Sequence, residues 1–113
     1  MSNKPQINLY ASAVSIAGKG LLILGSSGNG KSELALAMLT HGAKLISDDQ
    51  VLLTNGPNGI TLSAPKTIIG KIEARFIGIL NVPSTTAQLS LVIDLDKDPT
   101  ERLPKKKFIE YFG

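Results

Sequence analysis

The chain contains no cysteine and no tryptophan, and only one histidine, three phenylalanines and two tyrosines. Without cysteine there is neither a disulfide framework nor a thiolate zinc site. One histidine is too few for a histidine-built metal centre. So few aromatics require an aliphatic core of Leu, Ile, Val and Ala. Charge is sparse too: 19% of residues are charged, and the net charge is +3. That mild excess suits an anionic ligand or an acidic partner and is a poor footprint for nucleic acid. The one dense basic run, Lys105 to Lys107, has no aromatics interleaved with it and reads as a solvated tail. No apolar run approaches the roughly 20 residues of a membrane span. The opening "MSNKPQINLY" lacks the long apolar stretch of a signal peptide. The expectation is a cytoplasmic protein that binds neither nucleic acid nor membrane.

What is present is 42% hydrophobic residues in 113, the size of one domain with a modest core. Ile7, Leu9 and Ala11 alternate with polar neighbours, and Ala13 and Ser15 follow, which reads as one or two short strands. "AGKG" (residues 17–20) is a turn, and "LLIL" (residues 21–24) is an apolar run expected of a strand buried on both faces. After Lys31 the period becomes helical: Leu34, Met38 and Leu39 are spaced for one face, and Gly42 ends the run. Met38 is then a core residue, and His41 sits where a cation meets the negative end of a helix. "KLIS" (residues 44–47) is a short strand running into Asp48 and Asp49, with "VLLT" as its continuation. "NGPNG" (residues 55–59) is hairpin chemistry, and "ITLSAP" returns as a strand. "KIEARFIGILNV" mixes strand and turn around Gly78, and "AQLSLVIDL" (residues 87–95) is the best strand of the second half. Residues 96–113, with Pro99 and Pro104, read as a loop and flexible tail. This order predicts an α/β domain: a mixed sheet with one principal helix.

Gly25-Ser26-Ser27-Gly28-Asn29-Gly30-Lys31-Ser32 fits G-x-x-x-x-G-K-[ST], between a strand and a helix as that motif requires. The glycines let several backbone N–H groups converge on one anion, and the helix start adds the positive end of its dipole. Lys31 brings a compact charge to the terminal phosphates, and the Ser32 hydroxyl is suited to the Mg²⁺ that bridges them. The loop is therefore expected to hold the phosphates of a nucleotide.

Phosphoryl transfer also needs an acid near the metal and a group that orients or deprotonates the nucleophile. Asp94 closes the apolar strand "LSLVID" in the manner of a Walker B acid. Asp48 and Asp49 follow "KLIS". Neighbouring strand residues point to opposite faces, so one of this pair can face a metal and the other a hydroxyl or water. The residues alone leave this choice open.

"GSSGNGKSELALAMLTHGAKLISDDQV" followed by "IEARFIGILNV" resembles the catalytic domain of the HPr kinase/phosphorylase family. There a phosphate loop and helix run to a strand ending in Asp-Asp, and a signature close to I-E-x-R-G-x-G-I comes about two dozen residues later. With "ERLP" (residues 101–104), the resemblance covers Tyr10 to Pro104, as in a short form lacking the usual N-terminal domain. It implies one P-loop kinase domain over residues 1–113. It implies a serine kinase that acts on an HPr-like phosphocarrier protein with ATP and Mg²⁺, regulates the phosphotransferase system, and in many members reverses the step with inorganic phosphate. By the same resemblance, one of Asp48 and Asp49 is the general base, Glu73 lies near the metal with Ser32, and Arg75 and Arg102 act on the transferring group. Family members are commonly hexamers. Two positions depart from the pattern: Tyr10 stands in place of a histidine, and Phe76 in place of a glycine. Two other readings compete. One is a nucleotide-binding regulatory domain with impaired catalysis. The other is a generic P-loop NTPase or small-molecule kinase that uses Asp94.

Overall fold

A computed structural model of the chain describes residues 6–26 and 28–96. Ser27, Arg102 and the expected tail beyond Asp96 lie outside the described residues. The strands are β1 (Gln6–Tyr10), β2 (Ser12–Ile16), β3 (Lys19–Leu24), β4 (Lys44–Ser47), β5 (Gln50–Gly56), β6 (Gly59–Ser63), β7 (Lys71–Ala74), β8 (Gly78–Asn81) and β9 (Ala87–Asp94). The helix α1 (Lys31–Thr40) follows β3, and a short 3₁₀ turn spans Lys66–Ile68.

Seven strands form one sheet in the order β1-β5-β6-β9-β3-β2-β4, and β7 and β8 form a separate hairpin. The β3–β9 pair is parallel and the other pairings are antiparallel, which makes the sheet mixed as expected. Only Ala11 separates β1 from β2, and only Asp48 and Asp49 separate β4 from β5. Because β1 pairs with β5 and β2 with β4, these two long segments run side by side and the sheet curls back on itself. "VLLT" thus continues the course of "KLIS", but only after the acidic pair has broken the strand. The Ala11 N–H donates to the Asp49 carbonyl at 3.1 Å, joining the two breaks.

The curl explains the uninterrupted apolar runs. Leu22, Ile46, Leu53, Leu62 and Val92 pack together in one core. Leu21 and Ile23, on the opposite face of β3, pack with Val14, Leu45, Ala35 of α1 and Ile72 of β7 in a second core. Strand alternation sends successive residues of "LLIL" to different cores. Met38 packs against the second core, as expected. At Gly20 the strands approach so closely that a Cβ would lie 2.6 Å from the Gln88 carbonyl oxygen. Gly20→Ala should therefore destabilise the domain by about 1–3 kcal/mol, the usual range for overpacking. A urea midpoint equal to that of the unsubstituted chain would show that β3 and β9 do not meet this closely.

Helix α1 begins at Gly30, whose φ of 90° is a left-handed conformation that side-chain-bearing residues avoid. Its carbonyl accepts the Leu34 N–H at 2.9 Å. The helix ends where Gly42 turns to a positive φ, with the His41 and Ala43 N–H groups both on the Met38 carbonyl. The β7–β8 hairpin packs on α1. Its turn holds Phe76 at φ 69° with the side chain 97% exposed and the Arg75 guanidinium 5.3 Å from the ring centre. A left-handed non-glycine residue is strained by about 1–2 kcal/mol, and an exposed ring offsets little of it. Phe76→Gly should therefore stabilise the domain by about 0.5–1 kcal/mol, the remainder going to the freer unfolded chain. A fall in thermal midpoint would show that the ring contributes packing.

Candidate functional site

The parallel β3–β9 pair fixes the location of the site, because β3 delivers the phosphate loop at its C-terminal end and α1 leaves from it. Open parallel strands bind ligands at this end. The loop is tightened by a turn in which the Asn29 N–H donates to the Ser26 carbonyl at 3.0 Å. Lys31 Nζ folds back on the loop, donating to the carbonyls of Gly25 at 2.6 Å and Ser26 at 3.1 Å. A cavity of about 500 Å³ opens over the loop and is lined by Gly25, Ser26, Gly28, Gly30, Lys31 and Ser32, with Tyr10, Asp49 and Glu73 facing them.

The acidic pair splits, but through a turn between β4 and β5, where Asp49 takes a left-handed conformation, rather than through strand alternation. Asp48 is buried, and three donors converge on it. The Ser32 hydroxyl donates to Oδ1 at 2.7 Å, the Ser12 hydroxyl to Oδ1 at 2.8 Å, and the Glu73 backbone N–H to Oδ2 at 3.0 Å. Asp49 is exposed and sits at φ 71°, a left-handed conformation that Asp tolerates better than most residues. A second cavity of about 410 Å³ adjoins the first and shares Ser32, Asp49 and Glu73 with it; Asp48, Lys71, Thr67 and Ile79 are among its other lining residues. The two cavities therefore meet at the end of the loop, with the acidic pair between them.

Not every residue singled out in the sequence reaches this place. Asp94 lines neither cavity. Its Oδ1 accepts the backbone N–H of Asp96 at 2.9 Å, which caps the turn after β9. The strand-end acid that touches Ser32 is Asp48. Arg75 lies over Phe76 at the hairpin tip and lines neither cavity. Tyr10, 76% exposed, stands at the mouth of the first cavity. Two residues were missed. Ser12 is wholly buried, and its signal was a hydroxyl inside the small-residue strand "ASAVS". Asp96 contacts the loop through Ser26 and Asn29 and carried no motif.

The donor set of Ser32 Oγ, Asp48 and Glu73 consists of oxygens and suits a hard divalent cation such as Mg²⁺. Among the described residues no three His, Cys, Asp or Glu side chains cluster as a metal cage. Also among the described residues, no helix is long and apolar enough to cross a membrane.

A glycine loop between parallel strand and helix, closed by a strand-end aspartate on its serine, defines a phosphate-loop α/β domain. The family model described as HPr Serine kinase C-terminal domain matches residues 3–105. The chain belongs to that family. It is 42% identical over 78 residues to an HPr kinase/phosphorylase of Clostridium botulinum, a match covering 69% of this chain and 26% of the relative. It is 34% identical over 110 residues to one from Malacoplasma penetrans, covering 86% of this chain and 36% of the relative. It thus spans about a third or less of these relatives. A solved structure of the Hpr(Ser) kinase/phosphatase from Coxiella burnetii matches with a TM-score of 0.75 and 31% identity, covering 86% of this chain and 70% of that one. The α/β expectation and the family resemblance both hold.

Proposed function

We propose that this chain carries the catalytic centre of an ATP-dependent kinase that phosphorylates a serine of an HPr-like phosphocarrier protein. The observation that carries this reading is the 2.7 Å hydrogen bond from Ser32 to Asp48, which ties the loop's last residue to the acidic pair. The adjoining cavities supply the geometry. One lies over the loop, where the nucleotide phosphates would sit; the other opens on the far side of Ser32, Asp49 and Glu73, where an acceptor hydroxyl would enter.

In this mechanism the loop N–H groups and the start of α1 hold the β- and γ-phosphates. Lys31 exchanges the Gly25 and Ser26 carbonyls for phosphate oxygens. Ser32, Asp48 and Glu73 are the residues that would hold Mg²⁺, which when bound neutralises charge on the phosphates. The acceptor Oγ forms a bond to the γ-phosphorus as the bond to the bridging oxygen of ADP breaks. The hydroxyl proton passes to a carboxylate of the Asp48–Asp49 pair. In phosphorolysis an oxygen of inorganic phosphate forms a bond to the phosphoserine phosphorus as the bond to serine Oγ breaks, giving pyrophosphate, and the same carboxylate takes the proton of the attacking phosphate and gives it to the departing serine oxygen. Arg75 and Arg102 are assigned to the transferring group by family resemblance. For Arg75 this requires leaving the Phe76 ring.

The test is incubation of the chain with Mg-ATP and an HPr-type protein, followed by mass measurement of the acceptor. A gain of one phosphoryl group on serine is expected. Nucleotide binding with no change in acceptor mass would leave only a nucleotide-binding regulatory domain.

A further inference from the structure

The Asp96 carboxylate touches the phosphate loop at Ser26 and Asn29 and has no part in the mechanism. We infer that its carboxylate is a positioning group that holds the loop in its phosphate-binding shape from outside the cavity. The inference rests on the proposed nucleotide site.

Three links bring it there. The Leu95 N–H donates to the Leu24 carbonyl at 2.8 Å, carrying the β3–β9 pairing one residue past the strand. Leu95 then lies against Gly25, where a Cβ on the glycine would sit 3.1 Å from Leu95 Cβ. Asp94 Oδ1 accepts the Asp96 N–H and turns the chain toward the loop. The Asp96 carboxylate receives the Ser26 hydroxyl at 2.6 Å on Oδ2 and the Asn29 side-chain amide on Oδ1. Ser26 and Asn29 are the two ends of the turn inside the loop, so one carboxylate spans that turn.

Asp96 lines neither cavity, so it would not itself touch the phosphates. The Ser26 hydroxyl and backbone hydrogen bonds hold its carboxyl below the usual range; desolvation opposes them, and Asn29 and the Lys31 charge add the smallest contributions. The acceptor form therefore persists throughout neutral pH. A brace of this kind preorganises the loop and should act on nucleotide affinity more than on the chemical step.

The experiment measures Mg-ATP and Mg-pyrophosphate binding calorimetrically on the full chain, with Asp96→Ala, Asp96→Asn and a cycle against Asn29→Ala. Asp96→Ala should weaken both ligands about fivefold, the upper range for an exposed charged contact. The effect should fall on KM rather than kcat, and the thermal midpoint should hold. Asp96→Asn should recover part of the affinity, because its side-chain oxygen still accepts one of the two hydrogen bonds. In the Asn29→Ala background the Asp96→Ala effect should shrink, since one of the two contacts is already gone. Unchanged or tighter binding by Asp96→Ala overturns the inference, as does full additivity with Asn29→Ala. Failure of the unsubstituted chain to bind either ligand overturns the nucleotide site itself, and the brace with it.

Discussion

Lys31→Ala should lower kcat/KM for phosphoryl transfer to an HPr-type acceptor by at least about 10²–10³, the usual loss when one preorganised charge on a transferring group is removed. The ammonium rests on two loop carbonyls, 2.6 and 3.1 Å away, so it is already held within the loop that would carry the phosphates. Among the described residues, no other lysine or arginine lines the first cavity. The loss should appear in kcat as well as KM, because negative charge on the bridging oxygen grows as the bond to ADP breaks. The fold should survive, since the loop turn closes through Asn29 and Ser26 without Lys31. Transfer within tenfold of the unsubstituted rate would remove the loop from the chemistry.

The tandem aspartates should separate in their effects. Asp49→Asn should reduce transfer by about 10²–10⁴, the scale of general-base catalysis. Stability should change little, because Asp49 is exposed and Asn also tolerates its positive φ. Asp48→Ala should remove transfer and also destabilise the domain by about 3 kcal/mol, because one buried and two part-buried donors lose their acceptor. Nucleotide affinity measured beside transfer separates a lost base from a lost metal contact. Asp94→Asn should be far milder than either change, since Asp94 only caps the turn after β9. Transfer that survives both changes at 48 and 49, or that is lost most heavily at 94, would sink the assignment of the pair.

Much of this was legible because it is local. "LLIL", the glycine loop and the helix after Lys31 are consecutive, and each carries its own steric or periodic signal. The choice between Asp94 and the Asp48–Asp49 pair was not legible from residues alone. Both end apolar strands, and which strand end reaches Ser32 depends on sheet order, a property of pairing across the chain. The side-by-side course of β1–β2 and β4–β5 was hidden for the same reason. Ser12 and Asp96 were missed because each works through a partner 36 or 70 positions away, with no motif around it. Phe76 shows the converse: its departure from a glycine signature was visible at once, and the backbone there does take the glycine-like conformation.

The parallel partner of the loop-bearing strand arrives late. During synthesis the whole glycine motif and its helix leave the ribosome well before Ala87–Asp94 exists to lie beside Lys19–Leu24. Until then one flank of the central strand is bare, and the turn that reaches back to Ser26 has not been made. Such distant pairings form slowly and keep a nascent chain sticky. The proposed grip on a polyphosphate would thus be complete only once the second half is in place.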